Sequence, residues 1–414
     1  MLVFTHPTGN ANSKSLLKKV YSSGILSAFY TTISIQSDDW FLRYLAEPFR
    51  QELLRRNFEI PGSLIKKRYF LECARLIASR MKWSFLTQHE IGWASIDKIY
   101  QDLDRYVASD LDKLLSVKGV YAYEDGALQT FYQAKQIGIA CFYDLPIAYW
   151  ETSQSLLNQE AQRLPEWEFS LVGTRNSLEK LNRKTEELQL SDVVICPSKF
   201  VRNSLPLDIK KSKMVVVSEF GSPTIKIDIS YTNFRLTYPK LRVLFAGSLS
   251  QRKGLADLFA ACRILNRSDI ELVVLGSALA PLSFYRSHYP NFIYEPPRPH
   301  PQVLSLMQTC HVLVLPSIVE GRALVQQEAM SCGLPLIITS NTGGEDLIED
   351  GKTGFLVSIR SPEAIAEKIA WFADHRDHWE EMSQNSREKA AQLTWDRYSQ
   401  IIVTAIQEYA SLAL

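Results

Sequence analysis

HVLVLPSIVEGRALVQQEAMSCGLPLIIT, residues 311–339, is the stretch on which the fold turns. It opens on an apolar run that ends near Ser317 and closes on a second one, LPLIIT. Runs of Val, Ile and Leu suit strands buried on both faces, and a helix between two of them implies a parallel sheet. The stretch from Gly321 reads as a loop passing into a helix that ends near Gly333. The start of that helix offers unpaired backbone N–H groups and the positive end of a dipole, which suits an anionic group. Glu320 stands before the helix and faces whatever lies over its end. Glu328, two turns in, is placed to reach a more distant group such as ribose hydroxyls, each carboxylate accepting directional hydrogen bonds.

Further apolar runs repeat the arrangement before it. MLVF, VYAYEDGA, GIACFYDLP, DVVICPS and MVVVSEFG precede it in the first half, and LRVLFAGS and ELVVLGSA in the second. The divider, SPTIKIDISYTNFRLTYPK, residues 222–240, shows no clear helical period and reads as a linker. The expectation is an α/β protein of two facing doubly wound domains, residues 1–222 and 223–395. A helical, aromatic-rich insertion at about 38–115 interrupts the first, and a closing helix at about 396–414 completes the chain. Between Arg50 and Lys82 there are nine basic and three acidic residues. Arg68, Arg75 and Lys82 are seven apart, so one continuous helix would set them near one face. That face is either solvated or a surface for anionic lipid.

Two other loops have the chemistry of an anion site. In FAGSLSQRKG the strand ends at Gly247, and Arg252 and Lys253 stand before Gly254 and the next helix, able to neutralise a diphosphate without a metal. In MLVFTHPTGNANSK, Gly9 allows close backbone approach at a strand-to-helix turn. Crevices of doubly wound sheets lie at such strand ends.

Composition narrows the function. The 414 residues carry 46 basic and 45 acidic side chains, a net charge of +1, without the basic surplus of a nucleic-acid binder. Six scattered cysteines form no CxxC pair and read as buried reduced thiols. No signal-peptide pattern and no apolar run long enough to span a bilayer is present, so the expected location is cytoplasmic. Asp102/Asp104 and Asp110/Asp112 match a DxD metal pattern, but in a helical stretch they read as a solvated face. A nicotinamide site would need GxGxxG after a strand, which is absent.

The ordered set GSLSQRKG, LVVLGSA, VLVLPSIVEGRALVQQEAMSCGLPLI and NTGGEDLIEDGKTGFLV resembles the retaining glycosyltransferases of family four (glycosyl transferases group 1), with the GT-B fold. HPTGNAN, FYDLPIAYW and SDVVICPSKFVRNSL are consistent with it in the first domain, and LTWDRYSQIIVTAIQEYA resembles the terminal helix that crosses back. The resemblance implies sugar transfer from a nucleotide diphosphate sugar to a sugar, polysaccharide or lipid-linked acceptor. The anomeric configuration would be retained, with no metal and no cofactor beyond the co-substrate.

Carried over, Lys253 binds the donor diphosphate. The family's partner arginine is replaced by Ser248, with Arg252 as substitute. Glu320 lies by the donor sugar, and Gly321, Arg322, Ala323, Leu324 and Val325 line sugar hydroxyls and phosphate. Glu328 binds ribose, and Gly9 completes the donor set. The Arg322 side chain either reaches toward an anionic ligand or points to solvent. Catalysis falls to Glu320, Lys253 and Arg252, and the acceptor side to Asn10, Tyr143 and Asp144, tyrosine standing where a histidine is usual. Alternatives are a catalytically weak nucleotide-sugar-binding protein and a sugar-nucleotide epimerase of the same fold. The basic segment at about 50–82 leaves open peripheral contact with the inner face of a membrane.

Overall fold

The computed structural model describes residues 1–36, 39–44, 50 and 53–412. The first sheet contains β1 (Leu2–Thr5), β2 (Leu26–Thr31), β3 (Ile65–Lys67), β4 (Gly119–Tyr123), β5 (Ala140–Asp144), β6 (Val193–Cys196) and β7 (Met214–Val217). Their order across it is β3-β2-β1-β4-β5-β6-β7, with every pairing parallel. The second sheet contains β8 (Leu241–Ala246), β9 (Ile270–Leu275), β10 (Phe292–Glu295), β11 (Val312–Leu315), β12 (Leu336–Ile338) and β13 (Gly354–Leu356). Its order is β10-β9-β8-β11-β12-β13, again parallel throughout.

In both sheets the strand order reverses beside the first strand, between β1 and β4 and between β8 and β11. These are the switch points at which such sheets open a crevice. The central strands are covered on both faces, which is why β8, β11 and β12 are buried throughout and, Arg242 of β8 apart, apolar.

Helices Ala11–Ser22 and Trp395–Leu412 pack together, so the closing helix lies against the first domain. Ser15 Oγ lies 2.8 Å from Ser399 Oγ, and Lys19 meets Asp396 at 2.9 Å. A second tie runs the other way. Trp167, from the loop after helix Trp150–Arg163 of the first domain, is fully buried in the core of the second, against Phe259, Phe284 and Tyr285. Among the described residues no helix is long and apolar enough to cross a membrane.

Several expectations need correction. The divider contains a helix, Ile229–Thr237, whose N-terminal Ser230 N–H donates to Asp228 Oδ1 at 2.8 Å. It is held by buried Arg235, which reaches Gly333 O and Ser383. The segment 38–115 is not a separate insertion. It supplies edge strand β3, and its helix Ile96–Leu111 packs on β2 and on helix Leu128–Gln136. Arg68, Arg75 and Lys82 do not share one helix. The helix runs Phe70–Arg80, and Lys82 ends it with φ of 57°. Arg68 instead pairs with Asp102 at 2.9 Å, and Arg75 with Glu72 at 2.7 Å.

Of the four DxD aspartates Asp112 is solvated as expected, whereas Asp104 and Asp110 are not simply part of a solvated face. Buried Asp104 accepts from the backbone N–H groups of Gln129 and Thr130, both at 2.8 Å, and so caps a neighbouring helix. Asp110 binds Lys66 at 2.7 Å and Tyr30 at 3.0 Å. All six cysteines are free; five are buried and Cys73 is half-buried.

Candidate active site

The loop after β8 and the loop after β11 meet on one carboxylate. Glu320 Oε1 lies 2.8 Å from Arg252 Nη1 and 2.7 Å from Lys253 Nζ. Backbone bonds fix this approach, since Ile318 N–H donates to Arg252 O and Glu320 N–H to Asn341 O. Gly254, at φ of 77°, turns the chain into helix Leu255–Leu265. A Cβ there would sit 2.1 Å from Pro316 O, so only glycine lets the two loops touch.

Burial pushes the Glu320 carboxyl up, but the charges and hydrogen bonds of Arg252 and Lys253 outweigh it and hold it below the usual carboxylate range. Burial pulls the Lys253 ammonium down, and Glu320 only partly offsets this. Two basic side chains and one carboxylate are thus held together at a strand-end crevice.

Helix Leu324–Ser331 begins beside this cluster. Its N-cap is Ala323, which has no capping side chain, so its first turn presents backbone N–H groups. Ala323 itself is tied to Thr342 O at 3.3 Å. Leu324 and Val325 are half-buried, packing toward the first and second cores respectively. Glu328 lies 2.9 Å from His300 Nε2, so an imidazole–carboxylate pair stands just over one turn into this helix.

Gly321 is where the domains touch. Its carbonyl accepts from Ser198 Oγ at 2.7 Å, and a Cβ there would lie 1.7 Å from Pro146 O. Ser248 faces Ser250 at 3.3 Å. Both serines and Arg252 form one wall of an interdomain cavity of about 430 Å³, with Trp150, Asn176 and Lys184 opposite.

Other expected residues stand elsewhere. The Arg322 side chain does not point to solvent. It is fully buried, bound to Asp346 at 2.7 Å and 3.0 Å and to Gly343 O at 2.8 Å, and pins the loop after β12. Tyr143 is turned away from the crevice. Alternation along β5 puts it on the opposite face from Asp144, in the core, donating to Glu187 at 3.2 Å.

Asp144 sits at the end of β5 on the closing-helix side, with burial pushing its carboxyl up to about 7. Gly9, at φ of 69°, makes its close approach to the Phe58 ring. The N–H groups of Thr8 and Gly9 donate to His6 Nδ1 at 3.2 Å and 2.8 Å, and burial pulls that imidazole down to about 3. Asn10 begins helix Ala11–Ser22 without a side-chain cap bond and accepts from Ser13 Oγ at 3.1 Å.

Gln251, Glu160 and Ser198, which brace the site across the domains, escape a reading by motif. Only the polar Gln251 beside Arg252 hinted at them. Among the described residues no group of three or more His, Cys, Asp or Glu is arranged to hold a metal ion.

Comparison with known proteins places this geometry. Residues 235–389 match the profile of the glycosyl transferases group 1 family. The chain is similar to D-inositol 3-phosphate glycosyltransferase of Paenarthrobacter aurescens, at 28% identity over 47% of this chain and 55% of that one. It is also similar to the capsular polysaccharide biosynthesis glycosyltransferase CapM of Staphylococcus aureus, at 24% over 53% and 63%. The chain thus spans little more than half the length of the curated relatives it matches.

Over nearly the whole chain it superposes on sucrose-phosphate synthase from Thermosynechococcus elongatus, with a TM-score of 0.66, 15% identity and 99% of each chain covered. Anabaena HepE in complex with UDP follows at 0.62 and 15%, covering 98% of this chain and 99% of that one. Residues 235–389 are therefore a glycosyl transferases group 1 domain, set in a chain with the GT-B fold.

Proposed function

We propose that the protein transfers a sugar from a nucleotide diphosphate sugar to a hydroxyl of a sugar, polysaccharide or lipid-linked acceptor, with retention and without a metal. The observation that carries this is the convergence of Arg252 and Lys253 on Glu320 beside the start of helix Leu324–Ser331. The names of the relatives support it, as do the HepE structures solved with UDP and with UDP-glucose.

In this reading the diphosphate lies between Lys253, Arg252 and the free N–H groups of the helix. As the bond from the anomeric carbon to the diphosphate oxygen breaks, those groups stabilise the charge that builds on the oxygen. The acceptor hydroxyl oxygen forms the new bond on the same face, and its proton passes to the departing phosphate. Glu320 holds both cations in place and orients donor-sugar hydroxyls, while Glu328 takes the ribose. The acceptor enters through the cavity walled by Trp150, Asn176 and Lys184, where water is excluded and the hydroxyl is held near the donor.

Lys253→Ala and Glu320→Gln, each checked for folding, should lose about 10²–10³-fold in both sugar transfer and donor hydrolysis. Activity should survive a chelator. Wild-type rates in both variants would sink the site assignment. Loss with chelator that magnesium restores would sink the metal-free reading. Donor binding without any hydrolysis would instead favour a binding protein.

A further inference from the structure

The region between edge strand β3 and helix Ile96–Leu111 turns apolar side chains to solvent. Among the described residues twenty-five large hydrophobic side chains are exposed, and nine of them lie between Tyr69 and Ile96. An even spread would put about two there. On helix Phe70–Arg80, Phe70, Ala74, Ile77 and the following Met81 fall at the spacing of a single helical face. Glu72, Leu76 and Ala78 are buried on the other side. The Phe70 ring meets Trp93 edge-on at 5.8 Å, which carries the apolar surface onto the next segment. Tyr69 and Ile77 line a cavity of about 450 Å³ with Ile33, Leu53, Cys73 and Leu76.

Basic side chains predominate around this stripe, although Asp39 lines the same cavity and Asp110 and Asp102 pair with Lys66 and Arg68. Residues 66–82 include six Lys or Arg and one acid, Glu72. That acid is buried on Arg56 and Arg75, whereas Lys67 and Lys82 are exposed. The helix follows the carboxyl end of β3, the end at which the interdomain crevice opens. His89 bonds Asn176 at 3.2 Å and Glu90 accepts from Ser177 N–H at 3.0 Å. Since Asn176 also lines the interdomain cavity, the apolar surface borders its mouth.

We propose that this face docks on an anionic lipid bilayer, its apolar stripe seated among the headgroups and acyl boundary and its lysines against lipid phosphates. A second copy of the chain would set like charges against each other, whereas an anionic lipid surface complements the basic rim and accepts the apolar centre. The inference does not depend on the transferase reading, because its test measures no transfer.

The intact chain is mixed with vesicles of phosphatidylcholine alone, or with about one-third phosphatidylglycerol, and floated through a density gradient. It should partition at least about tenfold more strongly to the anionic vesicles and be released by high salt. Phe70→Ser/Ile77→Ser and Lys67→Glu/Lys82→Glu should each lower that partition at least about tenfold, with circular dichroism and melting unchanged. The proposal is overturned if the wild type floats with neither vesicle, if folded forms of both variants float as it does, or if the free chain sediments as a dimer that Phe70→Ser/Ile77→Ser breaks.

Discussion

Asp144 is a carboxyl with little to hold its charge. It is buried at the end of β5, and among the described residues its Oδ2 has no hydrogen-bond partner. Burial pushes it up to about 7; the Tyr121 hydroxyl draws it down and Glu124 pushes it further up. The folded state therefore keeps a proton that an unfolded aspartate, near about 3.9, has already released. A group with a raised folded-state value stabilises fully below its unfolded value, and the contribution is lost as pH rises toward the folded one. From about pH 4 to about pH 7 this residue should remove stability on the order of 3–4 kcal/mol. Asp144→Asn, which keeps the shape and drops the titration, should flatten that part of the profile. Urea unfolding of both proteins across this range checks it, and parallel profiles would refute the assignment.

Helix ends and strand phases explain which elements could be read from the chain. β8, β11 and β12 are apolar, Arg242 of β8 apart, because each is covered on both faces, so their runs stand out in the sequence. β2, with its Ser27 and Ala28, and the short edge strands β3, β10 and β13 do not. For the same reason LVLPSIVEGRALVQQE identifies the crevice, and GSLSQRKG places Lys253 beside it. Tyr143 was out of reach for a reading by motif. Which face of β5 it occupies depends on the sheet's packing, and one step of alternation turned it onto Glu187.

Asp104 was hidden in another way. An aspartate on a helix reads as solvated until a second helix, distant in sequence, brings its bare N-terminus to it. Asp104→Ala would strand the N–H groups of Gln129 and Thr130 in a buried place, costing about 1–3 kcal/mol. Asp104→Asn, which keeps one acceptor, should recover about half of that. Denaturant midpoints would show it, and an unchanged midpoint for the alanine variant would count against the capping role.

The two domains are joined by more than the crossing helix. On helix Trp150–Arg163 of the first domain, Glu160 has a fully buried side chain and accepts from Arg163 at 2.7 Å, from Gln251 at 2.8 Å and from Arg360. Arg163 and Gln251 also bind Asp257, at 2.8 Å and 2.7 Å. Gln251 stands next to Arg252, and its backbone N–H donates to Ser170 Oγ of the first domain at 3.0 Å. The loop that carries the site's two cations is therefore anchored on the opposite domain, and loosening the anchor should reach the site.

Glu160→Ala leaves Gln251 and both arginines short of a partner. The cost should be about 2–3 kcal/mol, less than for a fully buried pair because Arg163 and Arg360 keep part of their surface in water. With Trp167 of the first domain inside the second core, the wild type should melt in one cooperative transition. The variant should melt earlier, with the transition broadened or split, and bind donor nucleotide more weakly while Lys253 and Glu320 remain intact. Calorimetry and nucleotide titration together decide it. A single unshifted transition with wild-type nucleotide affinity would mean that Glu160 does not couple the first domain to the site.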